Sequence, residues 1–370
     1  MVIAGGGTGG LLYPGIAVAR ELLARRADAQ VSFAGTAHGI EARVVPREGF
    51  PLDLIRSAGL KGKSIGDRAR GAMLVPLGLL DSSAIVTARR PHLVIGVGGY
   101  SSGPVVLAAA LRGVPTMLLE QNAAPGLTNR LLRPFVGAAA VSFESTRRFF
   151  GAKAFVSGNP VRPEFLQAVE PLRESGANDD ASGGGILVFG GSQGAHAINL
   201  ALVEAAPQLA AGGHHVRLAH QTGERDVEMV RAGYRQAGFQ AEVEPFFFDM
   251  GRRLRSADLI VCRAGATTLA EITAAGKPSI LIPLPTATDD HQRRNAETLA
   301  SAGAAELLRQ SDATGAVLAQ RIDRLMRDSA ARERMAAAAR ALARPDAAKV
   351  IVDRALALIG DRGWVLVDPA

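Results

Sequence analysis

Gly190-Gly191-Ser192-Gln193-Gly194-Ala195 follows the apolar run 186–189 and leads into 197–209, where Ile198, Leu202, Ala205 and Leu209 recur at helical spacing. The stretch reads as strand, glycine turn, helix. Glycine lets a backbone turn sharply and approach a ligand, and the helix that follows offers unpaired N–H groups and a positive dipole end. Such a turn suits a phosphate or diphosphate. The same order occurs twice more, at Gly5-Gly6-Gly7-Thr8-Gly9-Gly10 and at Gly96-Val97-Gly98-Gly99-Tyr100-Ser101-Ser102-Gly103. Three such turns in the two halves of one chain point to an enzyme that handles two phosphorylated substrates.

Outward from these turns the chain alternates short apolar runs with helical patterns. Strands are expected at 31–35, 93–97, 115–119, 139–143 and 154–157, then at 186–189, 216–219, 258–262 and 279–282. The runs are continuous rather than alternating, as parallel strands covered on both faces require. Helices are expected at 16–26 and 197–209 among others. The fold class expected is α/β, with two Rossmann-like doubly wound parallel-sheet domains and ligands in a cleft. The first domain is placed at 1–160 and the second at 161–344, with the polar stretch 174–185 a surface loop near the start of the latter. Pro345 separates helical patterns at 329–343 and 346–360, and the terminal part, about 345–370, is expected to pack back on the first domain.

With 370 residues, 48% hydrophobic and 21% charged, the chain is long enough for two full cores. Its net charge of +7 suits phosphorylated ligands and an anionic membrane surface. The basic residues are scattered, aromatics are scarce and no nucleic-acid motif occurs, so no nucleic acid partner is expected. Cys262, the single cysteine, lies in an apolar run and reads as a buried strand residue. His38, His92, His196 and His214-His215 lack metal-ligand spacing. No Asp-x-Asp pair is present to hold a diphosphate-bound cation, so neither metal nor cofactor is expected. No apolar run reaches the ~18 residues of a membrane span. Met1–Ala4 leaves no room for a signal peptide before the first turn, which suggests a cytoplasmic protein.

The ordered motifs resemble those of the MurG-type glycosyltransferases. The resemblance is carried by Gly6-Gly7-Thr8-Gly9-Gly10 with Tyr13-Pro14-Gly15, by Gly98-Gly99-Tyr100-Ser101-Ser102-Gly103-Pro104, by Glu120-Gln121-Asn122 and by Gly158-Asn159-Pro160-Val161-Arg162. The second half adds Gly190–Ala195, Arg263-Ala264-Gly265-Ala266-Thr267-Thr268-Leu269-Ala270-Glu271, and Asp290-His291-Gln292 with Asn295. It runs from about residue 2 to about residue 345 and implies the two-domain GT-B fold. The activity implied is inverting, metal-independent transfer of N-acetylglucosamine from its UDP donor to the undecaprenyl-diphosphate-linked muramyl-pentapeptide, making lipid II for peptidoglycan. The donor is then expected mainly on the second domain. Glu271 would accept from the ribose hydroxyls, and Phe247 would border the uracil, its backbone reading the base edge. Gln292 and the segment Ala266, Thr267, Thr268, Leu269 and Ala270 would contact the sugar and its phosphates. Ser192 would meet the diphosphate, Arg162 would reach in from the linker, and Thr8, Gly9, Gly10 and Asn122 would close the site. His291 is a possible donor contact.

One position departs from the pattern. The family's first motif has a histidine after the residue matched by Gly10, and here Leu11 stands there. Leucine neither takes nor gives a proton. Glu120, beside Asn122, is the substitute expected as catalytic base. Alternatives therefore stay open: a UDP-GlcNAc-binding chain impaired in catalysis, a GT-B glycosyltransferase with another lipid acceptor, or a nucleotide-sugar epimerase. The apolar segment 71–80, preceded by Lys61, Lys63, Arg68 and Arg70, suits peripheral docking on the anionic cytoplasmic face of the cell inner membrane.

Overall fold

The computed structural model describes residues 1–57, 65–166, 184–191, 194–212 and 216–360, and for 65–75 the backbone only. The chain divides into two compact units. One is Met1–Val161 with the segment from Arg344, and the other is Arg162–Ala343.

The first unit is built on a parallel sheet of seven strands: β1 (Val2–Gly5), β2 (Ser32–Gly35), β3 (Leu52–Leu54), β4 (Val94–Gly98), β5 (Thr116–Glu120), β6 (Ala138–Val141) and β7 (Ala154–Val156). Their order is β3-β2-β1-β4-β5-β6-β7. Successive side chains point to opposite faces, and both faces are covered, which is why the runs are apolar throughout. Ile3, Phe33, Ile95 and Met117 bury against the helix Gly9–Arg25 and the helix Ala347–Gly360. Val2, Ala34, Val94 and Leu118 bury on the other side with Val105 and Val106 of the helix Ser102–Leu111. Each such Val, Ile, Leu, Met or Phe side chain contributes about 1.5–3 kcal/mol. The helix Ala347–Gly360 adds Ile351, Val352 and Ala355 to this core and is tied to the helix Gly9–Arg25 by the Arg25–Asp353 ion pair.

The second unit carries six parallel strands: β8 (Gly185–Phe189), β9 (Arg217–Gln221), β10 (Ala241–Glu244), β11 (Leu259–Cys262), β12 (Ser279–Leu281) and β13 (Glu306–Leu307), in the order β10-β9-β8-β11-β12-β13. Ile186, Val188, Leu218, Val261 and Ile280 pack under the helices His196–Ala211 and Gly315–Arg327. Cys262 is buried in β11, and burial pushes its thiol pKa up.

In both sheets the strand order reverses beside the first strand, between β1 and β4 and between β8 and β11. Loops at the carboxyl ends of the strands flanking such a switch form the ligand-binding crevice of doubly wound folds. The loops at these places are Gly5–Gly10 (turn one) and Gly96–Gly103 (turn two) in the first unit. In the second they are Gly190–Ala195 (turn three) and the segment 263–266.

Some elements differ from the sequence expectation. β3, β10 and β13 were not expected: each is short, and each is half-buried or partly exposed. The helix expected at 16–26 begins at Gly9, because Gly9, Gly10 and Pro14, which read as breakers, sit inside it. Most of the polar stretch 174–185 lies outside the described residues.

Candidate functional site

In the first unit, turn one leaves β1 with Gly5, Gly6 and Gly7 at φ of 134°, 151° and 87°. Only glycine holds such values without strain. Turn two follows β4 and interlocks with turn one: the Gly6 N–H donates to the Gly98 carbonyl at 3.3 Å, and a Cβ on Gly99 would come within 2.6 Å of the Gly6 carbonyl oxygen. The helix Gly9–Arg25 then starts on Thr8, whose exposed hydroxyl makes no capping bond. Thr8, Gly9 and Gly10 thus stand together at a helix start beside the switch. Leu11 is half-buried, its Cδ2 3.3 Å from where a Cβ on Gly98 would be. It presents methyl groups where the family pattern has an imidazole.

A carboxylate that the sequence reading did not single out supports turn one. Glu41 is buried and accepts from the Gly7 N–H at 2.7 Å, the Thr36 N–H at 2.9 Å and the Thr36 hydroxyl at 2.8 Å. Burial works to raise its pKa, but these hydrogen bonds outweigh it and the net shift is downward.

Glu120, expected as the base, ends β5 but turns inward. It accepts from the Asn122 N–H at 3.1 Å, the Gly126 N–H at 2.9 Å and the Asn129 side-chain amide at 2.8 Å. Burial raises its pKa, while these donors favour the ionised form. Both oxygens are occupied and the residue is buried. The geometry is that of a brace for the loop 121–126. Asn122 is held in that loop, its carbonyl accepting from the Thr146 hydroxyl at 2.8 Å.

In the second unit, turn three sits between β8 and the helix His196–Ala211. Gly194, at φ 72°, lies against the end of β9, and a Cβ there would be 1.8 Å from the Thr222 carbonyl oxygen. Ser192 lies outside the described residues.

Opposite turn three, Gly265 caps the helix Ala266–Ala275, whose first turn contains Ala266, Thr267 and Thr268. The first amides of a helix have no intrahelical partner and a positive field. The Leu269 side chain is in the core and its N–H bonds to the Gly265 carbonyl at 3.0 Å. The Ala270 carbonyl is taken by the Thr273 hydroxyl.

One turn further on, Glu271 is buried, and its Oε1 accepts from Arg162 Nε at 3.2 Å and Nη2 at 2.8 Å. Burial raises the Glu271 pKa and the Arg162 guanidinium opposes that rise. Arg162 also stacks 4.6 Å above the Phe165 ring. Both bonds fall on one carboxylate oxygen, which leaves the other to accept from a ligand.

Gln292 uses its Oε1 to clip two loops together, accepting from the Ala264 N–H at 3.3 Å and the Leu284 N–H at 3.0 Å. Its NH2 group remains as a donor. His291 is held by its own turn, its Nδ1 2.6 Å from the Thr288 carbonyl oxygen. Asp289 and Asp290 in that turn both adopt positive φ, near 55°. Phe247 is buried, with the Arg253 guanidinium 3.9 Å from its ring centre, whereas Phe248 is 96% exposed. The Phe247 N–H donates to Gln221 Oε1 at 2.9 Å. Gln221, like Glu41, was missed by the sequence reading; a polar residue ending an apolar strand run was the available signal.

The glycosyltransferase family 28 N-terminal domain matches residues 1–141, and the family 28 C-terminal domain matches residues 185–351. The chain belongs to the MurG-type glycosyltransferases of family 28. A relative from Anaeromyxobacter sp. strain K is 48% identical over 363 residues, which cover 98% of this chain and 94% of the relative. One from Geobacter sulfurreducens is 49% identical over 358 residues, covering 96% and 98%. Both are named UDP-N-acetylglucosamine–N-acetylmuramyl-(pentapeptide) pyrophosphoryl-undecaprenol N-acetylglucosamine transferase. The crystal structure of Acinetobacter baumannii MurG superposes with a TM-score of 0.79 at 32% identity, covering 96% of this chain and 98% of that one. A Listeria monocytogenes structure titled as a UDP-N-acetylglucosamine 2-epimerase shares the fold alone, at 16% identity and a TM-score of 0.70, over 98% of this chain and 97% of that one. The family 28 membership and the two doubly wound units agree with the GT-B expectation.

Proposed function

We propose that this chain is a hexosyltransferase that moves N-acetylglucosamine from UDP-N-acetylglucosamine to the undecaprenyl-diphosphate-linked N-acetylmuramyl-pentapeptide, the conversion of lipid I to lipid II in peptidoglycan synthesis. The carrying observation is identity of 48% and 49%, over nearly the whole chain, with relatives named for this transfer. The 4-hydroxyl of the acceptor sugar attacks the anomeric carbon of the donor with inversion. The bond from that carbon to the diphosphate oxygen breaks, a base takes the hydroxyl proton, and UDP departs with the added negative charge.

Each unit has a part in this reading. The second holds the donor. The amides at Ala266, Thr267 and Thr268, together with turn three and Ser192, meet the growing charge on the diphosphate. The open oxygen of Glu271 accepts from the ribose hydroxyls, with Arg162 aiming that carboxylate and favouring its ionised form against the effect of burial. The NH2 of Gln292 reaches the sugar, and the Phe247 loop borders the uracil. In the first unit, glycine turns one and two hold the acceptor diphosphate, and Thr8, Gly9, Gly10 and Asn122 are substrate contacts.

Leu11 favours a second reading beside the first: a donor-binding chain slow in transfer. Loss of a general base costs about 10²–10⁴ in rate. UDP release, measured with and without a lipid-linked muramyl-peptide analogue, separates these readings. Leu11→His is expected to raise acceptor-dependent kcat at least about 10²-fold. Equal rates would place the base elsewhere in the chain, and silence from both proteins would remove the lipid-linked acceptor from the proposal.

The reading also includes peripheral docking at the cytoplasmic face of the inner membrane. Among the described residues no helix is long and apolar enough to cross a membrane. Lys61 and Lys63, and the side chains of Arg68 and Arg70, lie outside the described residues. The support comes instead from Leu80, Leu111 and Leu131, which are 64%, 72% and 65% exposed.

A further inference from the structure

Gln221 ends β9 and is only 2% exposed. Its amide makes two hydrogen bonds of opposite sense. Nε2 donates to the Gly191 carbonyl at 3.0 Å, and Oε1 accepts from the Phe247 N–H at 2.9 Å. A carbonyl requires the NH2 and an N–H requires the oxygen, so the partners force the orientation of the amide. Gly191 belongs to turn three and Phe247 to the loop after β10. One buried side chain therefore joins the loop proposed for the diphosphate to the loop proposed for the base.

The two ends are not equivalent. The Gly191 carbonyl also accepts from the Gly194 N–H at 3.1 Å, so it keeps a partner if Gln221 is replaced. The Phe247 N–H is buried and, among the described residues, has Gln221 alone as acceptor; losing it carries the cost of an unsatisfied buried donor. The Phe247 ring is clamped under Arg253, which is itself held by Asp249 at 2.7 Å and by Glu242 at 2.6 Å and 2.7 Å. With the N–H anchored and the ring clamped, the direction of the Phe247 carbonyl depends on a single remaining backbone torsion. That carbonyl accepts no backbone hydrogen bond among the described residues.

We propose that Gln221 is a positioning residue that fixes the Phe247 carbonyl to accept the N3–H of uracil, and so selects uridine over cytidine diphosphate. The inference rests on the donor reading given above. Uracil carries a hydrogen on N3, whereas cytosine presents a lone pair there. A fixed carbonyl oxygen bonds the first and repels the second, while a loosened one turns away from either. The bond to Gly191 sets the spacing between base loop and phosphate turn, so the base is read with the diphosphate seated.

Binding of UDP and CDP to the full chain, followed by calorimetry, tests this. Gln221→Met keeps the length and removes both hydrogen bonds. UDP is expected to bind about tenfold more weakly, the size of one such bond, and CDP much less so. The UDP-to-CDP ratio then narrows, whereas a merely structural role lowers the unfolding midpoint and leaves the ratio alone. Gln221→Glu provides a second readout. Its carboxylate repels the Gly191 carbonyl, but its protonated form reproduces both bonds. UDP affinity, relative to the unaltered chain, should recover as pH falls from about 8 to about 5.5, where a buried carboxyl titrates. An unchanged ratio in folded Gln221→Met protein overturns the inference. So does a Gln221→Glu protein matching the unaltered chain at both pH values, which decides the matter if Gln221→Met does not fold. Failure of the unaltered chain to bind either nucleotide would instead overturn the donor reading.

Discussion

Glu41 lies among three glycines that leave room for nothing but its carboxylate. A Cβ on Gly6, Gly35 or Gly39 would come within 2.4 Å, 2.5 Å or 2.1 Å of its side chain. Its negative charge is solvated by the N–H of Gly7 and by Thr36, so turn one is fixed by an ionised group. Glu41→Gln would point an NH2 at these donors, and the expected loss near neutral pH is about 1–3 kcal/mol. The sign of the pH dependence follows from the lowered pKa. The ionised form contributes fully above the ordinary value of 4.5, and the contribution is lost as pH falls through the lower folded value. Denaturant unfolding of both proteins should therefore show a gap that closes in acid, and a gap independent of pH would remove the charge from the account. Neither Glu41 nor Glu120 was legible in its role. Most of their partners are main-chain N–H groups, whose positions exist only once the turns have formed. The glycines were legible because their requirement is written in the residue itself.

At the scale of elements, the buried strands could be read from their continuous apolar runs, since both faces of each sheet are covered. β3, β10 and β13 escaped because short, half-exposed edges have no such run. The glycine turns were legible as turns, though not which glycine is irreplaceable. Gly191 and Gly194 both have positive φ, 94° and 72°. At Gly191 a Cβ would meet open space, while at Gly194 it would collide with the end of β9. Gly191→Ala is expected to cost about 1–2 kcal/mol, the penalty for a left-handed alanine. Gly194→Ala adds a further ~1–3 kcal/mol, because turn or strand must shift. Chemical denaturation of the pair measures the difference, and equal losses would mean that turn three does not pack on Thr222.

For the molecule as a whole, the question is how a chain without a spanning helix among its described residues would meet a substrate anchored in lipid. The sequence offered a net charge of +7 and the apolar segment 71–80, which ends at Leu80, but gave no sign that Leu111 and Leu131 would be exposed beside it. In the first unit, Leu80 is on the helix Ile65–Arg89, Leu111 ends the helix Ser102–Leu111, and Leu131 is on the helix Leu127–Leu132. The middle helix packs against both others, which brings the three leucines onto neighbouring elements. Arg112, Arg130 and Arg133 adjoin them along the chain. Apolar side chains that enter the acyl boundary, beside cations that attract anionic headgroups, give reversible docking. Leu111→Asp combined with Leu131→Asp removes the apolar part and adds repulsion without touching the sheet. Partition onto anionic phospholipid vesicles should fall about 10–100-fold, as expected for losing two partly inserted leucines. Added salt should weaken the unaltered chain's binding by screening the cationic part, while UDP binding by the double variant stays as before. Equal co-sedimentation of the two proteins would place the docking surface elsewhere, with the segment 58–75 and its Lys61, Lys63, Arg68 and Arg70 the next to be reversed in charge.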